Sequence, residues 1–293
     1  MQNTKEIIIR QLSEPYRTLL SPVSFDGLEE IRFRIGQPVT LYYYNRTVFL
    51  NESGHTNIRS TGRNDLEALS ACLCNHSVYA YLNEIKDGFI TIRGGHRVGL
   101  AGKCVEKNGR ITGISSISGI NLRIAREYKN CAKDLLPHLH RIGGIQNTLL
   151  LSPPQCGKTT YLRDIARLLS ADYKITVVDE RSEIAGTYDG IPQFDLGPQT
   201  DVLDRFPKAE GMLLALRSLS PQILITDELG DDRDIEAIKK LYGAGCRIIA
   251  TMHGDSLTDL SQAKKDMLSY FNLILLMGRQ NNKPAVSAIK QLR

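Results

Sequence analysis

Gly157, Lys158, Thr159 and Thr160 follow the apolar run Leu149-Leu150-Leu151 by a few residues. A turn that enters a helix points several backbone N–H groups inward, and a lysine beside them adds a mobile positive charge. Together these suit the phosphates of a nucleotide. The segment Ser152-Pro153-Pro154-Gln155-Cys156-Gly157-Lys158-Thr159-Thr160 follows the pattern G-x-x-x-x-G-K-[ST], with Ser152 where the first glycine is expected. In that arrangement Lys158 reaches the β- and γ-phosphates, and the Thr159 hydroxyl ligates the Mg²⁺ that accompanies ATP.

Three further segments end in residues suited to the same chemistry. Pro221-Gln222-Ile223-Leu224-Ile225-Thr226-Asp227-Glu228 is an apolar run closed by two carboxylates, about 70 residues beyond the loop. Asp227 is suited to hold Mg²⁺ directly or through water, and Glu228 to orient or deprotonate the attacking water. Ile175-Thr176-Val177-Val178-Asp179-Glu180 has the same form, so Glu180 competes with Glu228 for the water. Ile248-Ile249-Ala250-Thr251-Met252-His253 ends in a threonine and a histidine able to sense a γ-phosphate by hydrogen bonding. Arg217, just before the second of these runs, either faces the nucleotide or caps its own helix.

The elements that must position these residues follow from the apolar spacing. After Gly144 the apolar runs 148–151, 175–178, 223–226, 248–251 and 273–277 alternate with expected helices over 158–169, 207–219, 232–242 and 257–268. Buried strands alternating with helices imply a mostly parallel sheet covered on both faces, with ligands at the carboxyl ends of the strands. Residues 1–143 have another texture. An expected hairpin spans 30–44 around Gly36-Gln37-Pro38, a helix 64–82, two strands 89–105 around Gly94-Gly95, and a strand 114–125. A short linking helix is expected over 135–142. The chain thus divides into a small α+β domain, 1–143, and an α/β nucleotide domain, 144–293.

Composition bounds the alternatives. The 293 residues are 42% hydrophobic and 24% charged, in the range of globular proteins. No apolar run approaches the roughly 18 residues of a membrane-spanning helix, and the opening residues lack the order of a signal peptide. Both point to the cytoplasm. The six cysteines form no CxxC pair, which argues against zinc and for reduced thiols. Residues 1–143 hold 19 Lys/Arg against 13 Asp/Glu, and residues 144–293 hold 18 against 19. The basic half would suit phosphates, anionic lipid or an acidic partner. No cluster of aromatics accompanies these cations as a single-strand platform requires, so no nucleic acid is expected.

Taken together, the motifs resemble the hexameric secretion and pilus-retraction ATPases, in which an acidic box, a Walker B strand and a His box follow the phosphate loop in this order. The segments Gly88–Gly102, Ile120–Glu127 and Val178–Gly186 are similar to the stage III sporulation protein AA family of endospore-forming Firmicutes. That resemblance implies a RecA-like P-loop NTPase domain and a homo-hexameric ATPase using ATP with Mg²⁺. It implies a mother-cell location, peripheral to membrane-embedded sporulation channel proteins that join mother cell and forespore. It also implies an arginine from the small domain that completes a neighbouring copy's site, for which Arg93, Arg97 and Arg123 are the candidates. The family's loop reads Gly-Pro-Pro-Gly-Cys-Gly-Lys-Thr-Thr, and Ser152 and Gln155 depart from it. A side chain in place of glycine costs about 1 kcal/mol or more where φ is positive. A scaffold that binds nucleotide without hydrolysing it is therefore the alternative, followed by a nucleic-acid-binding NTPase.

Overall fold

Alternation of apolar and polar residues builds the first sheet. In the computed structural model, which describes residues 2–50, 60–75, 81, 84, 88–154, 156–254, 256–258, 260–280 and 283–292, strand β1 (Leu28–Arg34) buries Leu28, Ile31 and Phe33. Glu30, Arg32 and Arg34 on its other face stay half-buried. Around β1 lie β2 (Thr40–Tyr43), β3 (Arg46–Phe49), β4 (Phe89–Ile92), β5 (His96–Lys107) and β6 (Arg110–Arg123), in the order β3-β2-β1-β6-β5-β4 with every pair antiparallel. Helices α1 (Gln2–Gln11), α2 (Tyr16–Leu20) and α3 (Arg63–Leu73), with Leu12 just after α1, cover the apolar face with Ile8, Leu12, Tyr16, Leu20, Leu66 and Leu69. The expected hairpins at Gly36 and at Gly94-Gly95 are present, and these three glycines all have positive φ. Of the helix expected over 64–82, the described residues show 63–73, and Leu82 lies outside them.

The second compact unit begins at Glu127, so residues 127–143 do not belong with the first as the sequence suggested. The physical reason is burial. Ala132, Leu135 and Leu139 enter a core with Leu150, Ile165 and Ile249. The carboxylate of Asp164, only 3% exposed, accepts the N–H groups of Asn130 and Ala132 at 3.0 and 2.9 Å. The expected linking helix shrinks to a 3₁₀ turn at Lys133–Leu135 and α4 (Leu136–Leu139). Residues 140–145 then form a small hairpin, β7 (His140–Arg141) and β8 (Gly144–Ile145), turning at Ile142 and Gly143.

The large sheet runs β11-β10-β12-β13-β9-β14-β15. Its strands are β9 (Thr148–Ser152), β10 (Ile175–Asp179), β11 (Thr200–Asp204), β12 (Ile223–Leu229), β13 (Arg247–His253), β14 (Leu273–Gln280) and β15 (Lys283–Gln291). All pairs are parallel except β14 with β15. Successive side chains go to opposite faces: Leu150 and Val177 join α5 (Lys158–Leu169), while Leu149, Leu151 and Val178 join α6 (Lys208–Ser218) and α7 (Asp232–Gly243). Strands β11 and β15 were not expected. Both are edge strands with mixed polar composition, which hides the continuous apolar run of a buried strand. The helix expected over 257–268 is confined to α8 (Gln262–Met267), started by Ser261, whose side chain accepts the N–H of Lys264.

Candidate nucleotide site

The loop between β9 and α5 has the backbone its motif requires. Gly157 caps α5 at φ 78°, and a Cβ there would sit 2.6 Å from the Cβ of Pro284. Ser152 behaves differently from expectation: it closes β9 as an extended residue, 1% exposed, its hydroxyl donating to the Pro153 carbonyl at 2.7 Å. The first glycine of the motif is thus replaced where the chain does not enter the left-handed region, so the expected backbone cost does not arise at Ser152. Pro153 is half-buried, Pro154 exposed and Cys156 buried, and Gln155 lies outside the described residues. Thr159 and Thr160 occupy the first turn of α5, both half-buried.

Lys158 curls back over this loop. Its Nζ donates to the carbonyls of Ser152 and Pro153, each at 3.2 Å, and to His253 Nδ1 at 3.1 Å. Burial lowers its pKa, opposed by Glu228. Because an ammonium only donates, His253 accepts at Nδ1 and carries its proton on Nε2. That Nε2 donates to Glu228 Oε1 at 3.0 Å, and Arg181 holds Glu228 Oε2 at 2.9 Å. The ends of β9, β13 and β12 therefore bring a lysine, a histidine and a glutamate into one chain of contacts.

Glu228 sits on a bulge. The register of β12 with β13 slips between Thr226 and Leu229, and Glu228 has φ 49°, an uncommon conformation for a residue with a side chain. Such strain persists only where surrounding bonds fix it, and it gathers at functional positions. Asp227, 5% exposed, has its pKa pushed up to about 7 by burial first, then by Asp179, Glu183 and Glu228, with Lys208 opposing. Asp227 offers a buried carboxylate and Thr159 a hydroxyl in the first turn of α5, both of the hard-oxygen donor type that Mg²⁺ takes.

The family described as sporulation stage III, protein AA, matches residues 2–293. The chain belongs to that family. It is 44% identical over 239 residues to the stage III sporulation protein AA of Bacillus subtilis (strain 168), covering 80% of this chain and 75% of that protein. Among solved structures, the ATPase DotB of Yersinia pseudotuberculosis superposes with a TM-score of 0.60 at 15% identity, over 93% of this chain and 78% of that one. The pilus retraction motor PilT with bound ADP gives 0.58 at 18% identity, over 86% and 74%. The fold is thus that of the RecA-like secretion ATPases.

Within this member of the family the remaining candidates separate. Glu180 faces Lys208, its carboxylate accepting the Lys208 N–H at 3.3 Å and lying 3.6 Å from its Nζ. Asp179, fully buried, accepts the N–H groups of Glu183, Ile184 and Ala185 at 2.8–2.9 Å, which commits it to folding that turn. Arg217 is not brought to the site. It lies exposed near the end of α6, donating to Leu213 in its own helix, nine residues or about 14 Å from Lys208 at the helix start. In the first unit Arg97 stacks over Phe89 at 4.9 Å and stands opposite Arg123, which lies 3.5 Å from Glu30. Arg93 is exposed, its backbone N–H and C=O tied to the Gln11 amide. Sequence reasoning missed Lys208 and Arg181. The available signal for Lys208 was its charge, since a helix start disfavours a cation.

Proposed function

We propose that this chain is a Mg²⁺-dependent ATPase, working as an oligomeric motor beneath a membrane-embedded channel complex of sporulating cells. The observation that carries the proposal is the contact chain Lys158–His253–Glu228 at the carboxyl ends of three adjacent strands. Family membership supports the sporulation setting, and the shared fold supports a secretion-type motor. No helix among the described residues is long and apolar enough to cross a membrane, which is compatible with a peripheral position in the mother cell.

The chemistry follows from the side chains. Lys158 exchanges its loop carbonyls for the β- and γ-phosphates of ATP, aided by the N–H groups at the start of α5. Thr159 and Asp227 would hold Mg²⁺, which would supply neutralisation of charge on the phosphates. Glu228 takes the proton of the attacking water, held in orientation by the His253 Nε2–H. His253 touches both Lys158 and Glu228, so displacement of Lys158 by a γ-phosphate is passed to the glutamate. We assign water activation to Glu228 in preference to Glu180 because His253 links Glu228 to Lys158 of the phosphate loop, whereas Glu180 faces Lys208.

Lys158→Ala is expected to lose ATP binding. Glu228→Gln is expected to keep binding and lose at least about 100-fold in phosphate release. Equal hydrolysis by wild type and both variants would sink the assignment. Binding without turnover in the wild type would favour the nucleotide-dependent scaffold instead.

A further inference from the structure

Helix α6 starts with a lysine, although a helix start carries partial positive charge and disfavours one. Lys208 is moreover only 8% exposed. Its Nζ donates to the backbone carbonyl of Glu228 at 2.7 Å, with Glu180 Oε2 at 3.6 Å and Asp234 Oδ2 at 3.9 Å. Burying an ammonium is expensive unless carboxylates and hydrogen bonds compensate it, and these do.

The carbonyl it grips belongs to the one residue of β12 with positive φ. The other end of that residue is gripped as well, since the Glu228 N–H donates to Thr251 Oγ1 at 2.8 Å. Both backbone polar groups of Glu228 are therefore taken by side chains, which holds it off the regular ladder and turns its carboxylate to His253 and Arg181. The loop that follows is tied to the same lysine. Asp234 Oδ2 accepts the N–H groups of Gly230 and Asp231 at 3.0 and 3.2 Å while it faces Lys208.

We propose that Lys208 is a positioning residue for Glu228: its buried ammonium holds the Glu228 carbonyl, fixes the left-handed backbone there and so aims the carboxylate. The proposal rests on the reading of Glu228 as the water-activating group. Lys208 acts through that backbone, its Nζ meeting the Glu228 carbonyl and the carboxylates of Glu180 and Asp234. It also gives Glu180 a role, as one of the two carboxylates that offset the lysine's charge.

Lys208→Met keeps the length of the side chain and removes its charge and donors. The expected result is a fall in kcat of at least about tenfold, because small misplacements of a reacting group are costly. The Kd for ATP with Mg²⁺ should stay within about threefold of wild type, since only the transition state uses the aimed carboxylate. Lys208→Arg, which retains a charged donor, should recover part of the lost kcat. Unchanged kcat, or loss of binding and turnover together, overturns the proposal.

A second arm does not depend on turnover. Crystal structures of nucleotide-free wild type and Lys208→Met should show Glu228 leaving positive φ and its carboxylate leaving His253 in the variant. A variant that keeps both overturns the proposal. A wild type that binds ATP without hydrolysing it would refute the hydrolytic reading, and the crystallographic arm would then decide the role of Lys208 alone. If Lys208→Met does not fold, Lys208→Gln, whose shorter uncharged amide cannot span the same distance, is measured in both arms with the same expected results.

Discussion

Two positions among the described residues of the site, Gly157 and Glu228, hold positive φ, and they answer to different constraints. Gly157 needs its glycine for backbone and for space, since a Cβ would enter Pro284. Gly157→Ala is expected to lower stability by about 1–2 kcal/mol and to weaken nucleotide binding, read by urea unfolding and ATP titration. Glu228 holds φ 49° with a carboxylate that the chemistry needs. Asparagine tolerates that backbone better than glutamate. Glu228→Asn is therefore expected to leave the melting temperature unchanged or raised while phosphate release falls at least about 100-fold. A large drop in melting temperature would mean that the Arg181 and His253 contacts stabilise the fold more than the backbone strains it. This residue scale was only half legible beforehand. Gly157, Lys158 and Asp227-Glu228 announce themselves by type and spacing. The contacts of Lys208 and Arg181 depend on which strand ends lie side by side, which spacing along the chain does not encode.

Among the elements, those with one strong periodic pattern were legible, and those fixed by a few long-range bonds were not. Helix α5 and the five apolar strands carry their own signal. Residues 127–143 carry little, and their place is set by Asp164 and by three apolar side chains. The fragment 127–293 is expected to unfold cooperatively. The fragment 144–293 should be less stable by about 4 kcal/mol or more, since each buried leucine contributes about 2 kcal/mol. Equal stability of the two fragments in urea would refute the boundary at residue 126. In the first unit, His96 secures the start of β5 to the chain just after β6. Its Nδ1 accepts the Ala125 N–H at 3.1 Å, and its Nε2, buried, faces Gly94 with no hydrogen-bond partner among the described residues. Burial lowers its pKa to about 4. An unfolded chain binds that proton near pH 6.5 while the native one refuses it, so stability is full above pH 6.5 and falls as the pH drops toward 4. The loss should be about 2 kcal/mol by pH 5, checked by urea unfolding of the full chain at pH 7 and pH 5. Replacing His96 with leucine should flatten that part of the dependence.

For the whole molecule, the prediction to test is that one copy does not suffice. Charge is divided unevenly, with residues 1–143 carrying a balance of +6 and residues 144–293 a balance of −1. Arg97 and Arg123 stand directly across neighbouring strands, an arrangement that like charges disfavour. Glu30 offsets part of it, at 3.5 Å from Arg123. We propose, from the resemblance to the secretion ATPases, that one of these arginines meets a triphosphate in another copy's site. If an arginine acts across copies, ATPase activity per chain rises with protein concentration until the oligomer saturates. Arg123→Ala and Arg97→Ala should each lower turnover with little change in ATP affinity, whereas Arg93→Ala should do little. Mixing decides between the two modes of action. Glu228→Gln has an intact arginine and a dead site, and Arg123→Ala has an intact site and no arginine. If the arginine is supplied by a neighbour, adding the inactive Glu228→Gln protein to Arg123→Ala restores phosphate release, because some sites then pair a good glutamate with a good arginine. If the arginine serves its own chain, no mixed site is complete and the mixture shows only the sum of its parts.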